Sequence, residues 1–284
     1  MEDNIIVDTP LDRVLKERLD KQNNEISRQK KALDDSIRYA SKIQKAIIPS
    51  KEAFRKEIPD SFVLFQPKDI VSGDFYWVKT KDRKKIVVAA DCTGHGVPGA
   101  FISLLGISFL NEIVSHYMRT LRANRILNEL REHIMKALNQ TGEEMEQRDG
   151  MDIALYILDY EEEILQFSGA NNPLYLIRDK NLIELKADRM PIGVNAGQED
   201  SFTNHVVKLK NNDSIYIFTD GYADQFGGSE GKKYKYPKFR NLLIDIQKLP
   251  INKQEDALWN EFVNWKNKYD QVDDVLIVGT SFKR

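Results

Sequence analysis

The chain of 284 residues is 41% apolar, which is enough for one large domain and an accessory segment. Its 42 Lys and Arg against 44 Asp and Glu give a net charge of −2, which argues against binding to nucleic acid or to an anionic membrane surface. The single cysteine, Cys92, excludes an internal disulfide and a multi-cysteine zinc site and favours the cytoplasm.

No stretch of the sequence reads as about 18 consecutive apolar residues, and the N-terminus has only a very short apolar run. We therefore expect neither a membrane span nor export.

The first predicted element is one long helix over residues 11–48, because this segment has no Gly or Pro between Pro10 and Pro49. Counting by sevens gives one series of positions and a second series four residues later: Leu19, Ile26, Leu33, Ala40 and Ile47, then Asn23, Lys30, Ile37 and Gln44. This pattern predicts a weak parallel coiled-coil homodimer whose polar positions fix the register. The alternative is a solvated helix lying on its own domain. We divide the chain into a helical regulatory segment, 1–48, and a globular domain, 49–284.

The globular domain begins a different pattern, with ten short β-rich runs. They cover residues 61–66, 75–79, 85–90, 152–159, 164–168, 174–178, 182–185, 203–209, 214–219 and 274–282, and helices are predicted over 98–117, 123–141, 237–247 and 253–269. Short turns join many of the strands, which favours antiparallel hairpins. The predicted fold class is α+β, an antiparallel β-sandwich flanked by helical layers.

Four aspartates lie where strands meet turns: Asp74, Asp91, Asp220 and Asp273. Carboxylates at strand ends are carried to the rim of a sheet, where several can converge on hard cations such as Mg²⁺ or Mn²⁺. Each residue alone could equally be a turn former or a helix N-cap. Because adjacent strand residues point to opposite faces, only one of Asp273 and Asp274 is expected to face a shared site.

Several motifs occur in a fixed order: QPKDIVSGDFY at 66–76, ADCTGHGVPGAF at 90–101, FSGANNP at 167–173, FTDG at 218–221, and the pair at 273–274. Together they resemble the SpoIIE-like branch of the PPM (PP2C-type) metal-dependent serine/threonine protein phosphatases. The resemblance runs from about Ile43 to the C-terminus. The fold of that family, a β-sandwich between helical layers, agrees with the fold predicted above.

The resemblance implies a centre of two Mn²⁺ or Mg²⁺ ions. Asp91 would be shared by both ions, the carbonyl of Cys92 would bind one, and Asp220 and Asp273 would bind the other. Asp74 would lie at or next to the first ion. Such a centre activates a water for attack on a phosphate ester, so that Asp91, Asp220 and Asp273 are the expected catalytic residues.

Four further positions are candidates for supporting roles. Asp152 could bind a weaker third metal ion, and Lys68 could contact phosphate in place of an arginine found in the eukaryotic relatives. Those relatives carry a histidine, the proposed proton donor, where this chain has Thr93. His95 follows two residues later, and it is either a proton donor or a structural residue; a metal-held water is the other candidate donor.

The function implied is hydrolysis of phosphoserine or phosphothreonine on a small regulator of the STAS anti-sigma antagonist type. Control would enter through the N-terminal helix, to which many relatives attach a sensor domain. Two alternatives remain: a catalytically degenerate scaffold with the phosphatase fold, and a coiled-coil dimerisation protein whose globular part is a platform.

Overall fold

The computed structural model describes residues 10–94, 96–116, 121–141, 149–195 and 201–283. One sheet has the strand order β1-β12-β9-β6-β7, made of β1 (Ser61–Gln66), β12 (Val275–Ser281), β9 (Ser214–Phe218), β6 (Leu174–Arg178) and β7 (Asn181–Leu185). The other has the order β2-β3-β4-β5-β8, made of β2 (Phe75–Lys81), β3 (Lys84–Cys92), β4 (Met151–Asp159), β5 (Ile164–Ala170) and β8 (His205–Lys208). A two-stranded ribbon joins β10 (Phe226–Gly227) to β11 (Lys232–Lys233). The pairings between these strands are antiparallel.

The helices form the outer layers. They are α1 (Pro10–Ile47), α2 (Lys51–Glu57), α3 (Val97–His116), α4 (Ala123–Ala137), α5 (Gly221–Asp224), α6 (Tyr236–Ile246) and α7 (Ile251–Lys266). The pair α3 and α4 packs on the second sheet, and α6 and α7 pack on the first. The predicted sandwich with helical layers is confirmed.

Strand β12 shows how the sequence builds two cores. Leu276 and Val278 belong to the cluster that fills the space between the sheets, whereas Val275 and Ile277 belong to the cluster under α6 and α7. Successive side chains of a strand point to opposite faces, so a continuous apolar run is what a strand covered on both faces requires.

The predicted strands and long helices lie within a few residues of their observed bounds, and the largest difference is at the end of α4, which stops at Ala137 instead of residue 141. The sequence prediction missed α2, α5 and the ribbon of β10 and β11. Helix α2 has seven residues and is fixed by its cap, because the Ser50 hydroxyl oxygen accepts a 3.1 Å hydrogen bond from the amide of Ala53. Elements this short contain too few turns to show a hydrophobic period.

Helix α1 has two different environments. The side chains of residues 14–33 are all exposed, whereas Ser41, Gln44 and Ile48 are buried against the domain. The predicted seam is therefore wrong at Gln44, which faces its own domain, and Ile37 is half-buried on the same side. Residues three and four apart lie on one helix face, which explains why 37, 41, 44 and 48 dock together.

One helix in the described residues, α3, is long and apolar enough to cross a membrane by length and composition. Its apolar residues are interrupted by Ser108, Asn111 and Glu112, so it is not a run of 18 consecutive apolar residues. Half of the helix is buried within the protein, where it packs on β2 and β3. Its apolar character is thus accounted for by the helical layer that covers the second sheet.

Candidate metal centre

The predicted aspartates meet at one end of the sandwich. Asp91 is the penultimate residue of β3 and pairs with Asp152 at the start of β4. Asp220 follows β9, and Asp273 precedes β12, the antiparallel neighbour of β9. Strand β3 contacts β9 across the interface between the sheets. The topology therefore carries carboxylates from both sheets to a shared rim.

Burial and mutual repulsion raise the pKa values of these carboxylates. The pKa of Asp91 is raised to about 8, first by burial and then by the charges of Asp220, Asp273 and Asp152. The pKa of Asp220 is raised to about 6, first by burial and then by Asp273. Lys233 opposes the rise at Asp220 but acts more weakly than Asp273 does. The rim thus concentrates negative charge without a matching positive charge.

Asp74 is the most deeply buried member of the site. Burial, followed by the charge of Asp91, raises its pKa well above the ordinary value for an aspartate. The hydroxyl of Thr219 donates a 2.7 Å hydrogen bond to Asp74 Oδ2, which acts in the opposite direction. Thr219 directly precedes Asp220, so this bond ties the loop before β2 to the end of β9.

The two neighbouring aspartates before β12 have separate roles. Asp274 is buried and points inward, where its carboxylate accepts hydrogen bonds from the amides of Lys68 at 2.7 Å and Gly73 at 2.8 Å. Asp273 contributes to the charge that acts on Asp91 and Asp220. Asp274 therefore anchors the loop that carries Asp74, and Asp273 belongs to the rim.

Two glycines allow the site to close tightly. A Cβ atom at Gly99, in the first turn of α3, would lie 2.1 Å from the carbonyl oxygen of Gly94. A Cβ atom at Gly221 would lie 1.9 Å from the carbonyl oxygen of Asp274. Any side chain at either position would separate backbone segments that bring the aspartates together.

All five predicted ligands lie in strands, turns or loops, and neither Asp91 nor Asp220 acts as an ordinary helix cap. Asp91 lies within a strand, and Asp220 precedes α5 without a side-chain capping hydrogen bond. The Cys92 carbonyl faces the loop of Asp74, because a Cβ atom at Gly73 would lie 3.1 Å from that oxygen. The thiol of Cys92 is buried, and burial raises its pKa well above the ordinary value.

The supporting candidates have distinct surroundings. The Thr93 hydroxyl oxygen accepts a 3.1 Å hydrogen bond from the amide of Gly150, and the Lys68 side chain is exposed. Asp152 accepts a 2.7 Å hydrogen bond from the side-chain amide of Asn171, and burial raises its pKa. The prediction for His95 lies outside the described residues.

Three supporting roles escaped the sequence analysis, those of Thr219, Asp274 and Asn171. Each is next to, or part of, a motif that the sequence analysis quoted, so the signal was a small polar residue adjoining a predicted ligand. Their partners lie 145, 206 and 19 residues away in the chain. Such pairings depend on the fold and leave no local pattern.

The donors at the rim suit divalent cations by chemistry and charge. Across the described ranges, no three His, Cys, Asp or Glu side chains stand close enough to form a ready-made metal cluster. Burial is the first cause of the raised pKa values of Asp74, Asp91 and Asp220, and repulsion from neighbouring carboxylates adds to it. Oxygen donors and uncompensated negative charge are what Mg²⁺ and Mn²⁺ require.

Comparisons with known proteins identify the family and the fold. The family model described as Stage II sporulation protein E (SpoIIE) matches residues 81–283. The SiaA-PP2C domain of Pseudomonas aeruginosa is 28% identical with a TM-score of 0.81, and the match covers 90% of this chain and 99% of that chain. No curated protein matches this chain.

Two more distant solved structures show the same fold. The PP2C phosphatase domain of SpoIIE from Bacillus subtilis, with a fragment of its regulatory domain, is 19% identical with a TM-score of 0.62. That match covers 79% of this chain and 61% of that chain. RsbX in complex with magnesium is 14% identical with a TM-score of 0.55, over 78% of this chain and 94% of that chain.

Proposed function

The chain belongs to the SpoIIE family of PP2C-type phosphatases, and we propose that it hydrolyses phosphoserine or phosphothreonine on a regulatory protein. The observation that supports this most directly is that several carboxylates from both sheets lie at one end of the sandwich and repel one another. Asp91, Asp220 and Asp273 are drawn from both sheets, and burial leaves their charges poorly compensated. A purely structural rim would pair such groups with cations or amides.

In this proposal Asp91, Asp220 and Asp273, with Asp74 and the carbonyl of Cys92, hold two Mn²⁺ or Mg²⁺ ions. When bound, such ions lower the pKa of a water, orient it and neutralise charge on the phosphoryl oxygens. The structure of the similar protein RsbX was solved in complex with magnesium, which supports the choice of cation. Because a protonated carboxylate is a poor ligand, the raised pKa of Asp91 makes metal binding release a proton.

The remaining candidates complete the proposed site. Asp152, oriented by Asn171, is the candidate for a third ion. The exposed side chain of Lys68 extends from a backbone fixed by Asp274, which suits a phosphate contact. Thr93 and His95 are the side chains that we propose to test for proton transfer. The client we propose is a phosphorylated STAS-type regulator in the cytoplasm.

The N-terminal helix is the proposed regulatory element. Leu19, Ile26 and Leu33 recur at intervals of seven and are each more than half exposed, although they are apolar. A parallel homodimer through residues 11–48 would bury them, and an upstream sensor domain would act on the same helix. The seam would end near Ile37, where α1 turns its buried face to its own domain.

The first experiment tests the activity. The purified protein in Mn²⁺ should release phosphate from a small aryl phosphate, and Asp91→Asn should abolish this release while the protein remains folded. Glu161→Gln, on the exposed hairpin between β4 and β5, is the matched control for loss of one negative charge and should keep full activity. An inactive wild-type protein that still binds its phosphorylated client would favour the scaffold alternative.

The second experiment tests the dimer. Replacing both Ile26 and Leu33 with Glu should convert a dimer into a monomer in analytical ultracentrifugation, since like charges would face one another across the seam. Matched control substitutions at exposed positions on the outer side of the same helix, Asn24→Glu and Ala32→Glu, should leave the dimer intact. A wild-type protein that sediments as a monomer at micromolar concentration would contradict this part of the proposal.

A further inference from the structure

Gln44 makes the most specific contact between α1 and the rest of the molecule. It is buried, with 4% of its surface exposed, although it lies on a helix whose side chains are mostly exposed. Its Nε2 donates to the carbonyl oxygen of Ser72 at 2.6 Å, and its Oε1 accepts from the amide of Ser72 at 3.1 Å. One side chain thus satisfies both backbone groups of a single residue, as a neighbouring strand would.

Ser72 lies two residues before Asp74, so Gln44 holds the segment that positions a proposed metal ligand. The next amide, that of Gly73, is held from the other side by Asp274 at 2.8 Å. The loop is therefore fixed by two side chains of different origin. Asp274 belongs to the catalytic domain, whereas Gln44 comes from the N-terminal helix.

Gln44 also contacts α3, the helix that follows the turn containing Gly94 and Gly96. Its Nε2 lies 3.0 Å from the Ser103 hydroxyl oxygen, and that hydroxyl donates to the carbonyl of Ala100 in the first turn of α3. Gly99, in the same turn, packs against the carbonyl of Gly94. A single amide group therefore connects α1 to both segments that flank the predicted metal ligands Asp91 and Asp74.

The contact between α1 and the segment that carries Asp74 is confined to the surroundings of Gln44. Toward solvent, α1 and the loop of residues 66–70 stand apart around a cleft of about 750 Å³, lined on the helix side by Arg38, Lys42 and Lys45. Gln44 lies at the inner wall of this cleft. A small rotation or translation of α1 would consequently act on Ser72 through hydrogen bonds, which depend steeply on distance and angle.

We propose that Gln44 is a positioning residue that holds Ser72–Asp74 in the conformation needed for cation binding, and so couples α1 to the metal centre. The inference rests on the proposed function, because it takes Asp74 as part of that centre. Residues that orient metal ligands through hydrogen bonds typically change metal affinity by about 10-fold to 100-fold when they are removed. Gln44 would act one step further out, on the backbone that carries the ligand.

The test uses the full chain with Gln44→Met, which keeps the length of the side chain and removes its hydrogen bonds. Mn²⁺ binding measured by titration calorimetry should weaken by roughly 10-fold. Ile48→Val is the matched control, because Ile48 is buried one turn later on the same face and provides only apolar packing. It should bind Mn²⁺ within about twofold of the wild type. Gln44→Asn, which retains an amide on a shorter side chain, replaces Gln44→Met if the latter does not fold.

A second measurement separates positioning from general loss of stability. In the metal-free protein, Gln44→Met should accelerate hydrogen exchange at the amide of Ser72, while the amide of Gly73, held by Asp274, keeps its protection. Ile48→Val should not selectively accelerate hydrogen exchange at either of these two amides.

The outcomes are distinguishable. Unchanged Mn²⁺ affinity in Gln44→Met, with affinity lost in Asp91→Asn, would overturn the coupling and leave the proposed function intact. Equal weakening in Gln44→Met and Ile48→Val would assign Gln44 to packing alone and would also overturn it. Absence of Mn²⁺ binding by the wild-type protein would remove the proposed function and this inference with it.

Discussion

Strand β9 carries an aspartate at each end, and the two are treated in opposite ways. Asp213, before the strand, is buried and accepts hydrogen bonds from Arg178 Nε at 2.9 Å, Arg178 Nη2 at 2.6 Å and the amide of Lys210 at 2.8 Å. Asp220, after the strand, is half-buried among Asp273, Asp224 and Asp152. At one end of β9 the carboxylate is neutralised by a bidentate guanidinium, and at the other end the carboxylate lies near further carboxylates.

This contrast shows how to separate structural from functional charge in the molecule. In a buried ion pair completed by an amide both carboxylate oxygens have a partner, and removing either charged group would leave the other uncompensated. Several unpaired carboxylates at one rim destabilise the fold unless a cation joins them. We therefore distinguish a structural end of the sandwich from the end that we propose to be functional, and β9 connects them.

The largest expected effects come from exchanging one carboxylate for an amide at each end. Asp220→Asn should reduce phosphatase activity to background with no loss of thermal stability, because it removes a repelled charge from the site. Asp213→Asn should lower the free energy of unfolding by about 3 kcal/mol, because it leaves Arg178 without its partner. Its activity per folded molecule should be unchanged.

Each of these variants is the control for the other, since each changes the same functional group on the same strand. Activity assays below the melting temperature and urea unfolding would measure both quantities. The contrast would fail if Asp213→Asn lost activity while fully folded, or if Asp220→Asn were active in Mn²⁺.

A smaller effect is expected from the candidate proton donors at the functional end. If His95 gives a proton to the leaving oxygen, His95→Ala should slow hydrolysis of a phosphoserine peptide by about 100-fold and barely affect an activated aryl phosphate, whose leaving group needs no proton. Thr93→Ala should slow both substrates equally, because the Thr93 hydroxyl bonds to the amide of Gly150 and supports the turn. Equal losses for both substrates in His95→Ala would assign that residue a structural role.

The sequence was informative where the fold produces a local hydrophobic pattern and where a candidate ligand lies next to one. Strand β12 was predictable because a strand covered on both faces needs the continuous apolar run that it has. The rim aspartates were recognisable because each adjoins such a run. Gln44 shows the limit: its heptad position correctly placed it on a continuous helix face, but the period does not say whether a second chain or its own domain covers that face.

The last expected effect is a pH dependence of stability between pH 4 and pH 8, produced by the raised pKa values of the rim carboxylates. In the metal-free protein the pKa of Asp91 is raised to about 8 and that of Asp220 to about 6, whereas both lie near 4 in an unfolded chain. Between about pH 4 and pH 8 the folded state therefore holds more protons than the unfolded state. The free energy of unfolding must fall as the pH rises through that window and level off above it.

The free energy of unfolding should change less with pH in Asp91→Asn, which has no proton to lose at that position. Mn²⁺ should raise stability most at the upper end of the pH window, where the carboxylates are ionised. Urea unfolding of the wild type and of Asp91→Asn at several values between pH 5 and pH 8, with and without Mn²⁺, measures the difference. Asp213→Asn should have a lower free energy of unfolding than the wild type at every pH. The change of that free energy with pH should be the same as in the wild type, because Asp213 is paired with Arg178 at the opposite end of β9. A metal-free protein that becomes more stable from pH 5 to pH 8, with the same slope in Asp91→Asn, would show that the rim carboxylates are already compensated and need no cation.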